Sequence, residues 1–242
     1  MMEQVTFNDI VISDFFQVAG VRRPLAGRVN STLEISGMDG TRVTGSVMMP
    51  STLSVLLVVS DMNDTQRRDA VRNLSSMIHT DEPKVLSFSS DNGLYYKAIL
   101  DGEVPFQEHV RSGIVELNFI TESPVLYGAV RSVTVPSQGE VTVYVDGTYP
   151  ALPKITGNVQ GTASNGLWGL RLDDGDYMRI VTGSNSTRAI VMDSESRTAS
   201  VAGAAKLPTL DSDWFELGAG MHKIKNDVGS GSSTVTWQER WL

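Results

Sequence analysis

Asp64-Thr65-Gln66-Arg67-Arg68-Asp69-Ala70-Val71-Arg72-Asn73-Leu74-Ser75-Ser76-Met77-Ile78 is the one stretch of this 242-residue chain that reads clearly as a helix. Val71, Leu74 and Ile78 recur at three- and four-residue spacing, with Ala70 and Met77 flanking them, which draws a single apolar stripe. Asn63 or Asp64 supplies an N-cap, Asp64 and Arg68 are spaced for an i,i+4 ion pair, and His79 sits at the negative end of the dipole. Pro83 prevents continuation.

Outward from that helix the period changes from 3.6 to 2. Ser31–Ile35, Arg42–Met49, Ser54–Val59, Tyr95–Leu100 and Ile114–Ile120 read as strands, and Asp39-Gly40 and Asp101-Gly102 are turn signals because glycine accepts the positive φ of tight turns. Gly20–Asn30, with Arg22, Arg23 and Arg28, has no clean period and reads as an extended arm or loop able to reach a neighbour. Prolines 136, 150 and 153 and glycines 139 and 147 interrupt the pattern, which places a domain boundary at about residue 132. Beyond it come Glu140–Val145, Lys154–Val159, Gly166–Leu172, Asp176–Val181, Arg188–Asp193, Trp214–Leu217, Met221–Asn226 and Thr234–Glu239. That density of short strands predicts a sandwich or jelly roll, with the Gly-Ser run 229–233 as a hairpin tip. The fold class is mainly β, with one helix in the first of two domains, 1–132 and 133–242.

The chemistry that sequence can exclude is considerable. With no cysteine, thiolate nucleophiles, disulfides and thiolate metal sites are absent. A net charge of −8 argues against nonspecific binding to nucleic acid or anionic membranes. The first 20 residues lack the basic start and apolar core of a secretory signal, and the longest apolar run, Val55–Val59, is too short to span a bilayer. No phosphate-binding glycine loop, nucleophile elbow or paired-histidine metal motif occurs. His79, His109 and His222 are scattered and read as structural. Asp173, Asp174 and Asp176 could in principle hold calcium, but Gly175 among them reads as a turn, as do Asp211 and Asp213 before Trp214. The Asn-x-Ser/Thr matches at Asn30, Asn63, Asn73 and Asn185 read as chance. No catalytic, cofactor or metal residue is nominated. Trp168, Trp214, Trp237 and Trp241 all fall in the second half, where they fill a core or stack on sugar. A carbohydrate-binding module is therefore the alternative function, and unranked carboxylate pairs keep a glycoside hydrolase in view.

Several stretches in order resemble the distal tail protein (Dit) family of long-tailed bacteriophages. In the first half these are Gly37-Met38-Asp39-Gly40, the capped helix, Lys84-Val85-Leu86, Tyr95-Tyr96-Lys97-Ala98, Gly113–Phe119 and Ser123-Pro124-Val125-Leu126-Tyr127-Gly128. In the second they are Gly147-Thr148-Tyr149-Pro150-Ala151-Leu152-Pro153-Lys154-Ile155, Trp214-Phe215-Glu216-Leu217 with Gly220, and the terminal Arg240-Trp241-Leu242. The resemblance implies a virion tail-tip protein, made in the host cytoplasm, that forms a hexameric ring. It implies as partners the tail tube protein, a tail-associated tip or fibre protein and a receptor-binding protein, with DNA passing through the channel without specific binding. It further implies a first domain that builds the ring and a galectin-like or carbohydrate-module-like sandwich outside it, here too short for the large sugar-binding insertions of some relatives.

Overall fold

The computed structural model describes residues 3–14, 16–60, 63–108, 112–173, 175–183 and 186–242. His109, Asp174 and Asn185 lie outside the described residues. The chain divides into two compact units, one reaching to Tyr127 and including Leu242, the other Gly128–Trp241. Strand accounts for 55% of the chain and helix for 9%, so the expected mainly β class with one α-helix is what forms.

In the first unit the strands are β1 (Val5–Phe7), β2 (Ile10–Val11), β3 (Gln17–Arg22), β4 (Arg28–Glu34), β5 (Thr41–Met48) and β6 (Thr52–Ser60). Helix α1 (Asp64–Ile78) precedes β7 (Lys84–Phe88), β8 (Tyr95–Leu100), β9 (Phe106–Glu108) and β10 (Ser112–Thr121). The central pair is β6 with β10, in an antiparallel register that sets Leu53 opposite Phe119, Val55 opposite Leu117 and Leu57 opposite Val115. Directly opposed residues share a face, and all six of these are buried. Phe7, Leu86, Leu74 and Ile78 join the same core, so the apolar stripe of α1 is seated on this sheet. Each fully buried aliphatic or aromatic side chain stabilises the fold by roughly 1.5–3 kcal/mol.

The helix begins and ends where its sequence signals put it. Asn63 accepts a hydrogen bond from the Gln66 backbone N–H while the Gln66 side chain accepts from the Asn63 N–H, a complete capping box. His79 is the C-cap and its N–H donates to the Ser75 carbonyl. One detail differs: Asp64 pairs with Arg67, whose side chain is buried, rather than with Arg68. The i,i+3 partner wins because burial holds its guanidinium over the first turn.

The second unit is a two-layer sandwich. β11 (Leu126–Val135) enters from the first unit, and β12 (Glu140–Val145), β13 (Lys154–Val159), β14 (Leu167–Leu172), β15 (Tyr177–Val181) and β16 (Arg188–Asp193) follow. The last strands are β17 (Thr198–Val201), β18 (Ala204–Ala205), β19 (Gly220–Val228) and β20 (Ser233–Trp241). One layer runs β18-β17-β16-β13-β20-β11 and the other β12-β19-β14-β15. Ile155, Met192 and Val235 from the first layer meet Trp168, Leu170, Met178 and Ile224 from the second in one core. Trp214–Leu217, expected as a strand, is not one: Leu217 makes a single bridge to Ala151, which seats Phe215 and Leu217 in the core without a ladder.

Candidate interaction surface

The residues with chemical potential do not converge. His79 is exposed at the helix end, while His222 donates through Nε2 to the Gly218 carbonyl at 2.8 Å and its Nδ1 lies 2.9 Å from Asp173 Oδ2. Asp173 takes the left-handed conformation itself, with φ of 49°, and its other oxygen accepts the Lys223 N–H. Burial opposes ionisation of this carboxyl, but the hydrogen bonds from Lys223 and His222 outweigh it and hold its pKa below the ordinary aspartate value. Among the described residues no group of three His, Cys, Asp or Glu side chains is placed to hold a metal ion. A 340 Å³ recess beside α1 is lined by Leu74, Ile78, Val104, Phe106 and Val115, with Ser75, His79 and Glu103, and among the described residues no hydrogen bond joins the Ser75 hydroxyl to the His79 ring.

The tryptophans divide. Trp168 and Trp237 are core residues, so neither presents a stacking platform; Trp214 and Trp241 are half-buried, Trp214 packed against the same core. Phe215 is fully buried, and Trp214 beside it packs half-buried against the same core without belonging to a strand.

What the structure does present is an unpartnered ribbon. Among the described residues β4 and β5 pair only with each other, in a register that places Val29 opposite Val47, Asn30 opposite Ser46 and Leu33 opposite Arg42. A bulge that leaves Thr44 unpaired, between Ser31 and Thr32 on the partner strand, puts Val43 on the face opposite Val47. One face therefore collects Val29, Val47, Ser31, Gly45, Leu33 and Arg42; the other collects Asn30, Ser46, Thr32, Val43, Glu34 and Thr41. Nothing covers the apolar face: Val29, Leu33 and Val47 are 50%, 53% and 70% exposed. The tip, Ile35–Gly40, turns on Gly37 and Gly40 at φ of 85° and 89°, the Asp-Gly signal read from sequence.

The ribbon corrects the expectation for Gly20–Asn30. That stretch is not one arm: Gly20, Val21 and Arg22 end β3 and pair with Leu56, Val55 and Ser54 of β6, while Arg28–Asn30 begin β4. Arg23, expected on an arm able to reach a neighbour, is tied to its own chain. Its guanidinium pairs with Asp91, donates to Ser90 Oγ at 2.9 Å and lies 4.9 Å from the Phe88 ring centre. The fixed end and the projecting ribbon are thus adjacent, and the clamp at Arg23 anchors the strand from which the ribbon departs.

Residues 8–121 match the phage tail protein RIFT-related domain family, and residues 146–241 match the C-terminal domain of the siphovirus-type tail component family. No curated protein matches in sequence. Among solved structures, the chain is similar over its full length to that described as the Dit protein of phage SPP1, a paradigm of hub adsorption apparatus in phages infecting Gram-positive hosts. The TM-score is 0.81 at 21% identity, and all of both chains is covered. It is similar at lower level to a chain of the phage P2 baseplate in its activated conformation with calcium, with TM-score 0.52, 9% identity, and 99% and 98% of the two chains covered. With residues 8–121 and 146–241 matched, one to each domain family of such a component, the chain belongs to the siphovirus-type tail component (Dit) family of phage tail proteins.

Proposed function

We propose that the protein is the hub of its phage tail: a ring of six copies that joins the tail tube to the tip or baseplate and surrounds the path of the DNA. In this reading it performs no catalysis. Residues 1–132 build the ring, and residues 133–242 form the sandwich at its outer edge. Its partners are further copies of itself, the tail tube protein, a tip or fibre protein and a receptor-binding protein. The observation that carries the proposal is the β4–β5 ribbon. An isolated two-stranded hairpin is at best marginally stable in water, and this one leaves Val29, Leu33 and Val47 exposed on one face. A second copy that covers Val29, Leu33 and Val47 removes both problems, and repetition of one heterologous contact closes a ring.

Light-scattering mass and negative-stain images of the purified chain test the proposal. Six-fold rings are expected, and Val29→Asp with Val47→Asp is expected to leave folded monomers. A monomer at tens of micromolar in the unsubstituted chain overturns it.

A further inference from the structure

The outward face of the β12-β19-β14-β15 layer carries two lysines that make no ion pair among the described residues. Along β19 the side chains alternate: Ile224 and Asn226 are buried, while Met221, Lys223 and Lys225 are exposed on the opposite face. Neither lysine has a carboxylate within ion-pair distance among the described residues. Lys225 stands directly opposite Arg171 of β14, a like-charge cross-strand pair of the kind that destabilises a sheet. The acid in the same row is Glu140, on the other side of Lys225.

Arg179, a fourth cation on this face, shows what a structural pairing looks like here. Gly169 opposite it has no side chain, so Arg179 lies across β14, 2.5 Å from Asp227 and 2.7 Å from Asp211. A Cβ on Gly169 would come within 2.4 Å of the Arg179 Cγ. The fold thus saturates one cation with two acids, while Lys225 and Lys223 make no ion pair among the described residues, Lys223 having only the charge of Asp173 near it. Beside them on the same face are Thr142, opposite Lys223, and Tyr144, opposite Met221 and 63% exposed. The Tyr177 ring sits opposite Arg171, its centre 5.3 Å from the guanidinium carbon.

We propose that this face binds an anionic glycan, a sugar or polyol polymer bearing phosphate or carboxylate groups. The anionic groups meet Lys223, Lys225 and Arg171, and the carbon skeleton between them lies on Tyr144 and Thr142. Successive lysines on one face of a strand are about 7 Å apart, a spacing that suits a charge repeated once per short unit of an extended chain. An acidic protein partner fits less well, because lysine is depleted from protein interfaces. The proposal is independent of the ring: it concerns the second unit and a ligand, not copies of the chain.

The test is titration calorimetry of the full-length protein at low and raised salt with four soluble probes. These are deacylated poly(glycerol phosphate), polygalacturonate, polyglutamate and duplex DNA, with neutral dextran as blank. Binding of the first, the second or both is expected, weakening with salt, and the preferred probe tells whether phosphate or carboxylate is the anion recognised. Lys223→Gln with Lys225→Gln, both exposed, is expected to weaken it about tenfold or more with an unchanged melting temperature. Tyr144→Ala is expected to weaken it less and to leave the salt dependence unchanged. No binding by the unsubstituted chain, equal binding by the double variant, or binding of polyglutamate or DNA as tight as that of the glycans each overturns the proposal. The monomeric ribbon variant, titrated in parallel, separates this result from ring formation: it retains the site even where the ring is lost.

Discussion

Two antiparallel pairs in the first unit are built on the same period and meet opposite fates. In β6 and β10 the alternating residues Leu53, Val55, Leu57, Val115, Leu117 and Phe119 are buried to the last atom or nearly so. In β4 and β5 the alternating residues Val29, Leu33 and Val47 stand in solvent. The difference lies in what covers each pair. The β6–β10 face receives α1 and the β1 and β7 strands, whereas among the described residues β4 and β5 make no strand pairing outside their own pair. A period of two tells which side of a strand requires cover, and the tertiary structure tells whether the chain itself provides it. Where the chain does not, the cover has to be another molecule.

Substitution in the buried pair should produce the largest effect. Leu57→Ala removes a side chain with no exposed surface, and unfolding in urea should show a loss of about 2–5 kcal/mol, the range for buried leucine truncation. The matched change in the ribbon, Val47→Ala, should alter monomer stability by less than about 0.5 kcal/mol. Its effect should instead appear as a higher protein concentration for half-assembly in sedimentation velocity. If both variants lose stability equally, the ribbon is not the surface the comparison makes it.

Gly169 and Asn63 extend the comparison to backbone positions. Gly169→Ala drives a methyl group into the Arg179 stem, and the required shift should cost about 1–3 kcal/mol in thermal unfolding by strain and by loosening of the Asp227 and Asp211 pairs. Asn63→Ala removes the side-chain acceptor of the capping box and should cost about 1 kcal/mol, with no loss in the Asn63→Asp variant, whose carboxylate caps equally well.

Which parts of this were legible in sequence follows from the range of the forces involved. The helix was readable with both its limits because the cap, the apolar stripe and Pro83 are local. β8, β12, β13 and β16 were readable because alternation and turn residues bound them. β3 escaped because Gly20 and the bulge beside it break the alternation, so residues 20–30 read as one irregular arm when they end one strand and begin another. The two β4 and β5 strands were visible, but their isolation was not, since nothing in Val29 or Leu33 says that no partner packs there. Met221–Asn226 was likewise visible as a strand. That Lys225 faces Arg171 depends on the register between strands distant in sequence, and that register is fixed by the Asp173 turn and the bulge at Gly169.

Asp173 gives the smallest expected effect and the sharpest test of that register. Its carboxylate accepts from the Lys223 N–H at 2.8 Å and from His222, so its native pKa lies below its unfolded one. The native state therefore takes up the proton less readily than the unfolded chain. The stabilisation is fully present above the unfolded value, about 3.9, and disappears as pH falls through the lower native value. Half of the side chain faces solvent, which screens the interaction to a few tenths of a kcal/mol. Asp173→Asn keeps an acceptor for the Lys223 N–H but cannot ionise, so its stability relative to the parent should be slightly lower at pH 6 and should converge with it as pH falls below the native value. A difference that stays constant across that range would mean that the turn is held by geometry alone, and the lysines of β19 would then owe their register to the bulge rather than to Asp173.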